Sequence, residues 1–297
     1  MFLSRVLCLA TIACAVSLAP RASIARVPLV VTDIPPVQSL VAQVMGTLGR
    51  PDLLVSQGAE PHSYQLRPSQ AAALGRADLV FWVGPEMTPW LTRVLAADSR
   101  ATAVGLLAAK GVHLRQFSGG GDETGTDPHA WLDPENAAAW LAAIRDALVA
   151  ADADHAADYA RNYAAAKAAL ENLTAEVGTS LAPAGQSPIV VGHDAYGYFA
   201  DRFQLTIAAT VEAGDASEPG AAKLSQIAAM LKANRVKCLF PEAGHDPKRA
   251  AALIDGTTTR LGDPLDPEGR TIAPGPDLYA TLMRQLGRAI AACQMAP

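Results

Sequence analysis

DHAADYARNYAAAKAALENLTAEVGTSL, from Asp154 to Leu181, reads as one uninterrupted helix. Alanine, the best helix former, recurs through it, and no proline or glycine breaks it before Gly178. At ~1.5 Å per residue such a helix is about 40 Å long, enough to run the height of a domain. It therefore reads as a stiff strut, and the chain on either side of it as two bodies that it joins.

Both flanks alternate short apolar runs with amphipathic segments. Before the strut, strands are expected at 29–32, 53–56 and 79–83, with helices at 38–45, 69–75 and 88–97. After it, strands are expected at 189–191, 205–208 and 236–240, with helices at 196–202, 221–233 and 248–255. Such alternation argues for parallel sheets of the βα type. Asp133-Pro134-Glu135, an acidic N-cap with proline in the first turn, opens a further helix that reaches about residue 150. The expected fold is α/β with two lobes, each a parallel-rich sheet flanked by helices, joined by a long rigid backbone helix. The expected partition is 1–25 leader, 26–150 N-terminal lobe, 151–185 linking helix and 186–297 C-terminal lobe.

The 297 residues include 24 Lys or Arg and 29 Asp or Glu, a net charge of −5, with 50% hydrophobic and 18% charged residues. That composition excludes a disordered chain and a basic nucleic-acid binder. Arg5, the apolar run 6–19 and the small residues of Ser23-Ile24-Ala25 read as a secretory signal peptide cleaved after Ala25. The run is shorter than the roughly 20 residues of a membrane-spanning helix. A lipid anchor on Cys14 would follow Thr11-Ile12-Ala13, a poor match to the residues that precede a lipidated cysteine. The leader holds Arg5 and Arg21 and no acid, so 22 basic and 29 acidic residues remain, a net charge of −7. It also holds Cys8 and Cys14, leaving only Cys238 and Cys293 in an oxidising compartment. These two form either one disulfide, worth about 4 kcal/mol on the chain-entropy model, or a pair of buried thiols.

Three histidines sit in loops beside proline, glycine or aspartate: Glu60-Pro61-His62-Ser63-Tyr64, Asp127-Pro128-His129-Ala130-Trp131 and Gly192-His193-Asp194-Ala195-Tyr196. Their wide spacing excludes a zinc finger, whose ligands cluster locally, and suits a site built from loops at the carboxyl ends of strands. Asp263, Asp266 and Glu268 on the loop 262–269 offer carboxylates. Three imidazoles and a carboxylate fill a tetrahedral shell for a borderline metal such as zinc. Taken alone, the spacing leaves open the plainer reading of hydrogen-bonded loop histidines and turn-capping aspartates. His113, His155 and His245 are read as non-ligands, with His155 solvated on the polar side of the strut.

Gly58-Ala59-Glu60-Pro61-His62-Ser63-Tyr64, Arg67-Pro68-Ser69, Ala77-Asp78-Leu79-Val80-Phe81-Trp82-Val83-Gly84 and Trp90-Leu91 resemble the N-terminal half of the periplasmic zinc/manganese solute-binding proteins of ABC transporters. Asp127-Pro128-His129-Ala130-Trp131-Leu132-Asp133-Pro134 resembles that family's central motif, and His193-Asp194-Ala195-Tyr196-Gly197-Tyr198-Phe199 its third. Glu218-Pro219, Phe240-Pro241-Glu242 and Leu265-Asp266-Pro267-Glu268-Gly269 look like later landmarks of the same family, so the resemblance covers nearly the whole mature chain.

The resemblance implies that His62, His129 and His193 are metal ligands and that Asp266 is the fourth, with Glu60 as the alternative. It also implies that Cys238 and Cys293 are bridged, as in zinc-type members. Manganese-type members have Glu where this chain has His193, and the extra nitrogen favours zinc over the harder ion. Zinc-type members often carry a long His- and Asp-rich loop before the central motif. Here the segment 116–127 is short and has no histidine.

The function so implied is capture of one Zn2+ per chain in the periplasm and delivery to an ABC permease in the inner membrane, without catalysis. The expected protein is a monomer, with a periplasmic metallochaperone as a further partner and no dealings with nucleic acid. Three other readings stand beside it. One is a manganese or iron carrier of the same family. The second is a zinc hydrolase using Glu60 or Glu242 as general base on a metal-bound water. The third is an adhesin-like lipoprotein anchored at Cys14.

Overall fold

The computed structural model describes residues 26–98, 100–117, 125–185, 187–212, 220–233 and 235–296. The leader 1–25 with Cys14, the stretch 118–124 and the Glu218-Pro219 pair lie outside the described residues. Strands β1 (Val30–Thr32), β2 (Asp52–Leu53), β3 (Leu79–Trp82) and β4 (Thr102–Gly105) form an all-parallel sheet in the order β2-β1-β3-β4. Helices α1 (Pro35–Met45), α2 (Pro68–Arg76) and α3 (Pro89–Asp98) connect them.

Next come α4 (Pro134–Ala151) and the strut α5 (Ala156–Leu181). Strands β5 (Ile189–Val191), β6 (Ile207–Thr210), β7 (Cys238–Leu239) and β8 (Arg260–Leu261) then repeat the first topology as β6-β5-β7-β8, again all parallel. Their connecting helices are α6 (Gly197–Phe203), α7 (Ala221–Lys232) and α8 (Pro247–Ile254), and α9 (Leu278–Met295) follows the second sheet. The central strands β1 and β5 are buried at every residue, as expected for parallel sheets covered on both faces.

Three departures from the expected elements have local causes. β4 was not anticipated, because Thr-Ala-Val-Gly is half alanine and glycine, which are poor strand formers, and it lies exposed at a sheet edge. β6 starts two residues late because Gln204 takes a left-handed conformation and Leu205 N–H donates to Ala200 O, making that stretch the end of α6. β2 ends at Leu53, yet Leu54 and Val55 still donate to the carbonyls of Thr32 and Asp33, so the pairing runs on almost to the expected end.

Each sheet has a small outer core: Val31, Leu54, Leu74, Val80 and Leu91 in the first lobe, and Val190, Ile227, Leu231 and Leu239 in the second. The inner faces share one continuous core that includes Trp131, Trp140, Tyr159, Phe81, Phe199, Phe240 and Tyr279. α5 enters this core through Tyr159, Ala166, Leu170, Leu173, Val177 and Leu181, a stripe at helical spacing. α9 packs along α5 and is tied to β7 by a Cys238–Cys293 disulfide. His155 is not simply solvated: its Nδ1 lies 2.8 Å from Asp152 Oδ2 at the corner between α4 and α5. No helix among the described residues is long and apolar enough to cross a membrane.

Candidate metal centre

The cleft between the carboxyl ends of the two sheets is built by loops that are each anchored before they present a side chain. The loop after β2 is pinned where Trp90 Nε1 donates to Pro61 O at 2.7 Å and where the Tyr64 hydroxyl meets Ser56 Oγ at 2.7 Å. His62 follows Pro61, and its N–H donates to Glu60 Oε1 at 3.3 Å. His129 precedes a single 3-10 turn (Ala130–Leu132), after which Asp133 caps α4 by accepting from Glu135 N–H at 2.9 Å. His193 lies two residues beyond β5.

The structure brings these three imidazoles together. The ring centroids of His62 and His129 are 6.0 Å apart, and those of His129 and His193 are 5.3 Å apart. The Nε2 atoms of all three are buried. Two of the rings are held from behind by carboxylates. Asp127 Oδ1 lies 2.9 Å from both the backbone nitrogen and Nδ1 of His129, and Glu242 Oε2 is in close contact with His193 Nδ1. A carboxylate on Nδ1 fixes the tautomer in which Nε2 carries the lone pair, which is the usual outer support of a metal-ligating histidine. Neither Asp127 nor Glu242 was assigned this role from sequence. In Asp127-Pro128-His129 the two-residue spacing was the available signal, whereas Glu242 is 49 positions from His193.

Glu268 is the carboxylate that meets the histidines on the Nε2 side. It is 2% exposed, its Oε1 is 3.9 Å from His62 Nε2, and ligand atoms of His62, His129 and Glu268 all lie within 4.8 Å of one another. Asp266, expected as the fourth ligand, is turned to its own loop. Oδ1 accepts from Arg270 N–H at 2.9 Å, and Oδ2 accepts from Thr271 N–H at 2.8 Å and Thr271 Oγ1 at 2.6 Å. Asp266 thereby closes the turn that carries Glu268, and Trp131 Nε1 holds the same turn by donating to Pro267 O at 2.8 Å. Glu60, the alternative fourth ligand, pairs with Arg270 through Oε2 at 3.1 Å. His245 stands at the rim, 3.4 Å from Glu212.

Burial is the main reason the Glu268 carboxyl is pushed up to about 8; Glu60 and Glu242 add to it, while Arg270 pulls the other way. For Arg270, burial disfavours the charge, but Glu268, Glu60, Glu242 and Asp266 together raise its pKa. Beside this cluster, sharing Glu60, Glu242 and Arg270 with it, opens a cavity of about 600 Å³ that Glu212, His245, Asp246 and Arg249 also line. Three imidazoles and a carboxylate suit a divalent cation of intermediate hardness.

Similarity to known proteins identifies the family. The family model described as zinc-uptake complex component A, periplasmic, matches residues 30–293. The high-affinity zinc uptake system protein ZnuA of Paracoccus denitrificans is 44% identical, over 91% of this chain and 92% of its own length. Its counterpart in Brucella abortus is 34% identical, over 89% and 91% respectively. Among solved structures, a zinc-bound deletion mutant of ZnuA superposes with a TM-score of 0.78 at 28% identity, covering 91% of this chain and 99% of that one. The manganese complex of FpvC from Pseudomonas aeruginosa, at 22% identity and a TM-score of 0.80, shares the fold. With the match running from the first strand to the disulfide in the last helix, the chain belongs to the family of periplasmic zinc-uptake component A proteins.

Proposed function

We propose that this protein captures Zn2+ in the periplasm with high affinity and delivers it to an ABC-type permease for import. The observation that carries the reading is the convergence of His62, His129 and His193, from three loops of two lobes, with a buried carboxylate beside them. The zinc-uptake relatives support it. The nitrogen-rich donor set selects zinc over manganese, the second reading within the same family.

In this reading one ion binds per chain. His62 and His129 from the lobe 26–150 and His193 and Glu268 from the lobe 186–297 are its ligands, with 151–185 holding the lobes apart. Asp266 organises the loop rather than ligating, and Glu60 stays on Arg270. Residues 1–25 direct export and are removed, and the protein works as a monomer, with a metallochaperone as a further donor of zinc. The protein is a carrier because four side-chain ligands complete a tetrahedral shell. A hydrolase would keep one position for water beside a base such as Glu60 or Glu242.

The test is a chelator-competition titration of the mature protein with Zn2+ and Mn2+, combined with X-ray absorption of the zinc-loaded form. Tight binding of one zinc and a four-coordinate shell of three nitrogens and one oxygen are expected. Alanine at any of the three histidines should weaken binding strongly, and unchanged affinity in His129→Ala would overturn the site. Glu268→Gln and Asp266→Asn separate the two carboxylates: the first should lose the oxygen ligand, the second should not.

A further inference from the structure

Arg270 stands where the second lobe meets the first, 9% exposed, and all three nitrogens of its guanidinium face oxygens. Nη1 donates to Glu60 Oε2 at 3.1 Å, and Nη2 donates to Ala243 O at 3.1 Å and lies 3.5 Å from Glu242 Oε1. Nε is 3.2 Å from Glu268 Oε2. Its backbone is fixed as well: Arg270 N–H donates to Asp266 Oδ1, and Arg270 O accepts from Gly58 N–H across the cleft at 3.1 Å. A planar fork held at both ends in this way cannot follow a carboxylate that moves.

We infer that Arg270 sets the metal selectivity of the site by fixing its guanidinium against Oε2 of Glu268, an ion-pair contact without a hydrogen bond, so that the carboxylate offers the ion a single oxygen, Oε1. The inference rests on the reading of Glu268 as the fourth ligand. The two oxygens of Glu268 face different partners, Oε2 the guanidinium and Oε1 the His62 imidazole. With the guanidinium packed against Oε2, the shell is limited to three nitrogens and one oxygen, the four-coordinate arrangement zinc adopts. A larger, harder ion such as Mn2+ prefers more oxygen ligands, and a two-oxygen grip by Glu268 is what Arg270 denies it. The positive charge of Arg270 opposes every divalent cation alike, so its signature is the ratio of affinities rather than either affinity alone.

Full mature chains carrying Arg270→Gln, Arg270→Lys, Glu268→Gln and the Arg270→Gln/Glu268→Gln pair would be titrated with Zn2+ and Mn2+ against a chelator. Manganese coordination would be read by X-ray absorption. In Arg270→Gln the preference for zinc over manganese should narrow about tenfold, the scale of an outer support lost from a metal ligand. The manganese shell should also gain an oxygen. Arg270→Lys keeps the charge without the fork, so it should narrow the preference too, and it decides the matter if Arg270→Gln does not fold. Removing Arg270 in the Glu268→Gln background should leave the ratio where Glu268→Gln put it. An unchanged ratio in both single Arg270 variants, while Glu268→Gln weakens zinc binding, would overturn the role of Arg270 and leave Glu268 a ligand. Undiminished zinc affinity in Glu268→Gln would overturn the ligand reading itself.

Discussion

Asp127 gives the sharpest test of how the site is held. It is 1% exposed, and its Oδ1 serves both the backbone nitrogen and Nδ1 of His129, each at 2.9 Å. Asp127→Ala leaves two buried donors without their acceptor, at about 1–3 kcal/mol each in the stability of the metal-free protein. It also frees the His129 ring to rotate or to take the wrong tautomer. Loss of such a support costs about 10- to 100-fold in metal affinity, or about 1.4–2.7 kcal/mol. Asp127→Asn keeps a carbonyl oxygen in the same place and forfeits only the charge, so its zinc affinity should fall by less than about tenfold. Chelator competition at neutral pH measures both, with thermal melts of the metal-free proteins as control. Affinity within about twofold of the parent in folded Asp127→Ala would show that His129 needs no orienting partner, and the reasoning from Nδ1 to Nε2 would fail. Equal losses in the two variants would assign the effect to charge instead of orientation.

Other outcomes follow from features away from the metal. In Gly192→Ala a new Cβ would come within 3.1–3.2 Å of Glu242, including its backbone nitrogen, so Glu242 must give by a few tenths of an ångström, which disturbs its contact with His193. Zinc affinity should drop about tenfold though no ligand changes, and a parent-like titration would argue against the Glu242 support. Replacing Cys238 and Cys293 by alanine should cost about 4 kcal/mol in denaturant unfolding, while the folded variant binds zinc as the parent does. Burial, opposed by hydrogen bonds from Val83, Ile34 and Thr88, raises Asp33 to about 7. The native state thus holds a proton that the unfolded chain releases near its ordinary value of 3.8, so this contribution to stability is complete below about pH 4 and is lost as pH rises through 7. The stability gap between parent and Asp33→Asn should accordingly change between pH 4 and 7, and a gap independent of pH would contradict it. Zinc should leave the radius of gyration nearly unchanged in X-ray scattering and increase hydrogen-exchange protection near His129 and His193; whole-molecule compaction would refute the strut.

How far the sequence could be read varied with how local each determinant was. The strut, the Asp133 cap and the strand-flanked histidine loops are written in neighbouring residues, and they are where the structure has them. The pairing of Cys238 with Cys293 was within reach because reading residues 1–25 as a leader sets the other two cysteines aside. Which carboxylate of Asp266-Pro267-Glu268 points at the histidines was not legible. It depends on the turn folding Asp266 back onto Arg270 and Thr271, and on Trp131 holding Pro267 from 136 residues away. Arg270 escaped notice for the same reason, since its partner Glu60 is 210 positions distant.

The core that runs without a break beneath both sheets has a consequence for how cargo leaves. Spreading the lobes would mean exposing Trp131, Phe199 and Tyr279 to water, a cost on the scale of unfolding itself. The free protein therefore has no well-populated open form for a ligand to shift. Loaded and empty carriers should then present nearly the same outline, leaving a permease to tell them apart by the order of a few loops. Unloading falls to the receiving machine, which has to loosen those loops locally, so the residence time of zinc is governed at the docking event rather than by spontaneous yawning of the cleft.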